Sequence, residues 1–172
     1  MKNNLTFAKI IKVLSYILFF LYVLLMLWLM FGQRLLHRLT TPSIDWLENY
    51  WYEFFDQINL MPFHTIVEFT MALMDGWDYI AIMNLAGNIV MFIPLGFLLP
   101  YITKRALAFK QCMTISLVCI LCAELIQIFT LLGSFDIDDL ILNMIGVSIG
   151  FWLQGILNRL FQASQKSITT NK

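Results

Sequence analysis

The chain has 172 residues, 60% of them apolar and only 13% charged, with eleven basic and eleven acidic side chains that cancel. An ordinary soluble domain carries about 25% charged residues, so this composition excludes a water-soluble globular domain in favour of a membrane bundle. The balanced charge also excludes the basic surface that a nucleic-acid partner needs.

The first apolar run extends from Val13 to Phe31 with no charge and one small polar residue, Ser15. About 20 apolar residues cross a bilayer core, so this run predicts a first span over 13–31. Lys2, Lys9 and Lys12 precede it and imitate the basic start of a signal peptide. The apolar stretch is longer than a signal's, however, and no small-residue cleavage site follows. The first helix is therefore expected to be retained.

A long connection over 32–78 comes next and contains "IDWLENYWYEFFDQI". Ile44, Leu47, Trp51, Phe54 and Ile58 recur at helical spacing, with Asp45, Glu48 and Asp56 off that stripe. Thr41-Pro42 is a suitable helix start, since proline fits the first helical position. The pattern predicts an aromatic-rich amphipathic helix. Two placements stay open, one flat on the membrane surface and one packed on the bundle. His37 and His64 lie in the same connection without a Cys, Asp or Glu at ligand spacing, so both are read as non-catalytic.

Further apolar runs predict spans over 79–102, 111–132 and 138–160, followed by a tail over 161–172. Cys112, Cys119 and Cys122 all fall in the third span, the last two as a CxxC. No βαβ pattern surrounds them, and free cysteine packs as a small hydrophobe. No disulfide framework is implied.

Four crossings place nine of the eleven basic residues on one side of the membrane, with Arg34 and Arg38 on the other. The positive-inside rule then puts both termini in the cytoplasm. Ten of the eleven acidic residues fall in the outer connections or at their edges. The eleventh, Glu124, lies inside the third span. A carboxylate at the centre of a membrane helix costs about 2.5–3.5 kcal/mol on insertion scales, and by default marks a functional site.

Other polar residues fall at matching depth. Asn84 and Asn88 occupy the outer half of the second span, one helical turn apart. Gln127 follows Glu124 by three residues on the third. Asn143 lies in the outer half of the fourth, behind the turn that holds Asp136, Asp138 and Asp139. The set Asn84, Asn88, Glu124, Gln127, Asp136, Asp139 and Asn143 is thus a candidate outer-leaflet pocket, with Glu124 expected to hydrogen-bond Gln127 or an asparagine. Taken singly, the amides also read as interhelical glue. Asp136, Asp138 and Asp139 read either as acids at a solvated helix N-terminus or as ligands for a divalent cation, the one candidate cofactor. Gly87, Gly146 and Gly150 are candidate helix-packing positions, the last two as a GxxxG. No nucleophile elbow, P-loop or dinucleotide fingerprint occurs.

Three elements in order resemble the VanZ-like family, named for a teicoplanin-resistance protein. "INLMPFHTI" over 58–66 resembles the family's N-L-x-P-F element. "NLAGNIVMFIPLGFLLP" over 84–100 resembles N-x-x-G-N-x-x-x-F-x-P-L-G, carried by Asn84, Gly87, Asn88, Phe92, Pro94, Leu95 and Gly96. "CAELIQIFTLLGSFDIDDLILNMIG" over 122–146 resembles E-x-x-Q followed by D-I-x-D-x-x-x-N-x-x-G. The family often has arginine in the turn before the acidic cluster. Gly133 stands there in this chain, and the nearest substitutes, Arg34 and Arg38, are remote in sequence.

The fold expected is all-α, a polytopic membrane protein of four transmembrane helices with an outer amphipathic helix between the first two, in one domain over 1–172. The resemblance implies a cell-envelope protein linked to glycopeptide or lipoglycopeptide resistance, in contact with the bilayer and with a lipid-linked wall precursor or the antibiotic. Two rival readings stand beside it. One is an intramembrane enzyme on a lipid-linked substrate, with Glu124 as acid/base and the three aspartates holding a metal. The other is an assembly partner docking through the GxxxG face.

Overall fold

The computed structural model of the protein describes residues 2–40, 49–103 and 107–170. Helix α1 (Lys2–Leu27) passes through a π-helical turn (Trp28–Gly32) into α2 (Gln33–Thr40). Next come α3 (Tyr50–Asp56), strand β1 (Ile58–Asn59) and α4 (His64–Asp75). Helices α5 (Tyr79–Ile102) and α6 (Phe109–Phe129), strand β2 (Phe135–Asp136) and α7 (Ile137–Thr170) complete the chain.

Four helical stretches are long and apolar enough to cross a membrane: Ile10–Thr40, Tyr79–Ile102, Phe109–Phe129 and Ile137–Ser164. The protein is thus a nearly all-α bundle that fits a multi-pass membrane protein, as its composition predicts. The first helix runs past the expected limit at residue 31 and carries Arg34 and Arg38 with it. The fourth continues beyond residue 160. The expected start at Thr41-Pro42, together with Ile44, Asp45, Leu47 and Glu48, lies outside the described residues. Within α3, Trp51, Tyr52 and Phe55 are exposed, while Phe54 rests on Phe129 with ring centroids 5.5 Å apart. The helix therefore docks on the bundle by one edge and presents a ring of aromatics away from it.

Helices α5 and α7 form the centre and pack most extensively on each other, with α1 against α5 and α6 mainly against α7. Their closeness has a local cause. Cβ atoms on Gly146 and Gly150 would collide with the backbone carbonyls of Ile89 and Ile93, and one on Gly96 with that of Val147. Lipid supplies no hydrophobic drive between helices, so such backbone-to-backbone packing carries the association. The GxxxG face is thus spent within the chain, against the reading that reserves it for a partner. Gly87 is not part of it, since a Cβ there would meet nothing within 4 Å. Around the glycine seam sits an apolar cluster that includes Met26, Phe92, Leu95, Leu99, Cys112, Ile120 and Val147. Cys119 and Cys122 are free and face outward.

A two-residue parallel ladder, Ile58 beside Phe135 and Asn59 beside Asp136, ties the long connection to the turn before α7. An all-α reading does not foresee it. It joins the "NLMPF" stretch to the acidic cluster at the end of the bundle where α2, α5, α6 and α7 meet their connections, here called the loop end.

Candidate functional site

The acidic cluster "DIDD" supplies three carboxylates that point to three different tasks. Asp136 caps α7, its carboxylate accepting from the Asp138 N–H at 2.8 Å. Its other oxygen accepts from the Thr65 hydroxyl at 2.6 Å and the Asn59 amide at 3.2 Å. Asp138, fully buried, reaches instead to the start of α4 and accepts from the backbone N–H of Phe63 (2.6 Å) and Ile66 (3.1 Å). It satisfies donors that the first turn of any helix leaves open. Asp139 turns inward and accepts from the Asn88 amide on α5.

The structure thus gives each of Asp136, Asp138 and Asp139, read from the sequence as candidate metal ligands, its own protein donors. Asp136 ends strand β2, while Asp138 and Asp139 open α7 on different sides of its first turn. Among the described residues no three His, Cys, Asp or Glu side chains are placed to hold a metal ion.

The inward-facing polar residues do converge. A cavity of about 150 Å³ is lined by Asn84 and Asn88 of α5, Glu124 and Gln127 of α6, and Asp139 and Asn143 of α7. From the first span it takes Leu29, Met30 and Arg34. All four spans thus contribute to one recess. Asp136, expected in the same set, does not line it, because its carboxylate is committed to Asn59 and Thr65.

The wall of this recess is uneven in hydrogen-bonding character. Every outer-half amide except that of Asn143 donates to a protein acceptor: Asn84 to the Ile80 carbonyl at 2.9 Å, Gln127 to the Met30 carbonyl at 3.0 Å, and Asn88 to Asp139. Met30 lies in the π-helical turn, and such turns recur at functional sites because they re-aim backbone groups. The acceptors fare differently. Glu124 is 5% exposed and accepts no hydrogen bond from the described residues, so the expected bond from Gln127 or an asparagine is not made. The Oδ1 atom of Asn143, 2% exposed, also has no partner. Buried polar groups are as a rule paired, and an unpaired one costs about 1–3 kcal/mol.

Arg34 and Ser134 line this recess and also a wider vestibule of about 760 Å³. The vestibule includes Arg38, His37, Glu53, Gln57 and the 131–134 turn. That turn is a Schellman-type cap on α6: Leu131, in the left-handed region at φ 52°, donates to Ile128, and Leu132 donates to Gln127. The carbonyls it leaves open are taken by arginines from the first span. Arg34 donates to Leu132 at 2.8 Å, and Arg38 to Thr130 at 2.7 Å and Leu131 at 2.8 Å. Both guanidinium groups therefore sit at the negative end of a helix.

Sequence reasoning passed over Ser134, Asn59 and Thr65, and named Arg34 only as a remote substitute for the family's arginine. Asn59 was within reach, as it stands in the "NLMPF" stretch. Arg34 and Arg38 are one helical turn apart at the end of an apolar run, which is the one signal that they act together.

A family model described as VanZ/LLP1 matches residues 16–158. No curated protein and no solved structure matches the chain. The match takes in the "NLMPF" stretch, the α5 motif and the segment from Glu124 to Gly146, the last two of which supply the recess walls on α5, α6 and α7. The chain belongs to the VanZ/LLP1 family.

Proposed function

We propose that the protein binds the headgroup of a membrane lipid or lipid-linked wall precursor in the four-helix recess, and thereby lowers susceptibility to glycopeptide antibiotics. One observation carries this reading. Glu124, almost fully buried and without a hydrogen bond among the described residues, faces a cavity walled by polar side chains of all four spans. An ionisable group costs too much inside a bilayer to be kept without a task. A recess reached from a wide vestibule supplies one.

The cavity's size chooses between the two ligands named by the sequence. About 150 Å³ accommodates several waters or a small headgroup. A macrocyclic glycopeptide exceeds this volume, which supports the headgroup over the antibiotic. The distribution of basic residues orients the loop end outward, with both termini in the cytoplasm of the cell membrane. The recess then opens in the outer leaflet, where glycopeptides meet their lipid-linked targets. The apolar rings of Trp51, Tyr52 and Phe55 are exposed beside it and suit the interfacial layer in which aromatic residues collect.

The test is a teicoplanin susceptibility assay in cells that express the chain. Glu124→Gln and Asn88→Leu are expected to return susceptibility toward that of cells lacking the protein, at unchanged membrane levels. Full protection by both variants would refute the reading.

A further inference from the structure

The chemistry of the wall specifies the headgroup more closely, and this inference rests on the headgroup reading just given. The recess wall carries two carboxylates, Glu124 and Asp139, against one basic side chain, Arg34 at its mouth. The amides of Asn84, Asn88 and Gln127 each donate to a protein oxygen, whereas among the described residues Glu124 on the wall meets no donor and the buried Oδ1 of Asn143 has none. A ligand that matches them must bring N–H groups and positive charge. A primary ammonium brings three donors and one charge, and fits among Glu124, Asp139 and Asn143.

At the mouth the character reverses. Arg34 borders both cavities and spends one Nη1–H on the Leu132 carbonyl. A guanidinium offers five N–H donors in a fork that suits phosphate. Acceptors within and a guanidinium at the rim describe a dipolar ligand, with a cationic end that enters first and an anionic end that stays outside.

We infer that the recess binds a headgroup in which a primary ammonium lies a few bonds from a phosphate, as in phosphoethanolamine, with the ammonium among Glu124, Asp139 and Asn143 and the phosphate at Arg34. A quaternary ammonium has no N–H to give the two carboxylates, and a glycerol headgroup has no positive charge to give them.

The full chain in nanodiscs, with small equal amounts of phosphatidylethanolamine, phosphatidylcholine and phosphatidylglycerol, provides the test. The readout is the lipid retained on the protein by native mass spectrometry. Phosphatidylethanolamine is expected to be favoured about tenfold, the scale of one charge-assisted hydrogen bond. Glu124→Gln should remove the preference, while Arg34→Gln should weaken all three lipids alike and keep their ratio. Circular dichroism confirms that each variant is folded. Soluble phosphoethanolamine is added as a competitor. Displacement at concentrations that match the lipid points to a free ligand of the same chemistry, and its failure points to the lipid. Equal retention of the three lipids, or a preference for phosphatidylglycerol, overturns the inference. If that retention still depends on Glu124 and Arg34, the headgroup reading stands without the ammonium; if it depends on neither, both fall.

Discussion

Gly133 and Arg34 share one space. A Cβ on Gly133 would press on Nη1 of Arg34 and approach Cβ of Gln127 to 2.9 Å. The guanidinium thus lies over the turn before the acidic cluster, at the position where the resemblance to the family sets an arginine and this chain has none. It arrives from the end of the first span, 98 residues before the Leu132 whose carbonyl it binds.

This sharing predicts coupling. Gly133→Ala should push Arg34 off the Leu132 carbonyl and destabilise the protein by about 1–3 kcal/mol, the range for overpacking. In the Arg34→Ala background the same change should cost clearly less, with a coupling energy of about 0.5 kcal/mol or more. Thermal unfolding of the four proteins in one detergent measures it. Additive effects would separate the two residues.

Asp138 predicts a local effect. Its carboxylate holds the Phe63 and Ile66 N–H groups at the start of α4. Asp138→Ala leaves both without that acceptor, at about 1–3 kcal/mol for each buried group so orphaned. Hydrogen exchange should rise over residues 58–66 and remain unchanged in the middle of α5 and α7. A uniform rise across the chain would contradict a local capping role.

The glycines predict a contrast. Gly146→Ala and Gly150→Ala drive a methyl into backbone carbonyls of α5, which cannot rotate away as a side chain can. Each should lower stability by about 1–3 kcal/mol. Gly87→Ala and Gly155→Ala meet open space, so the gain in helix propensity, up to about 1 kcal/mol, should leave them neutral or slightly stabilised. Thermal melts of the four variants decide it. Equal losses in all four would deny the α5–α7 seam.

These cases show where the sequence was informative. Hydropathy marked the four spans because a bilayer demands about 20 apolar residues from each. Helical spacing aligned Asn84 with Asn88 and Glu124 with Gln127, and one shared depth brought them together. Helical spacing put Asp136 with Asp139 and Asn143 on one face, but Asp136 lies in β2 ahead of the helix and turns to Asn59 and Thr65 instead. The partners that sorted the three aspartates, Asn59, Thr65, Phe63 and Asn88, come from 51 to 77 positions away. Gly87 and Gly146 read alike as small residues, and only the position of the neighbouring helix separates them. The length of the first helix was hidden because Arg34 and Arg38 look like the end of a span, although α6 carbonyls wait for them beyond it.

The asparagines of α5 divide the same way. Asn88 bonds Asp139 across helices, whereas Asn84 bonds the Ile80 carbonyl of its own helix. Asn88→Ala should therefore cost about 1–3 kcal/mol by stranding a carboxylate, and Asn84→Ala less than about 0.5 kcal/mol. Chemical denaturation in mixed micelles distinguishes them, and equal costs would contradict the assignment.

Everything turns on whether the recess is a wet chamber open at the outer face. Cysteine labelling in intact cells tests this directly, with Cys112, Cys119 and Cys122 replaced and a membrane-impermeant maleimide outside. Glu124→Cys and Asn84→Cys, which place the thiol on the recess wall, should react at once. Leu125→Cys and Met83→Cys, at the same depths but on exposed apolar faces, should stay unlabelled. Recess thiols that react no faster than their lipid-facing neighbours, or only after the cells are broken, would contradict the account.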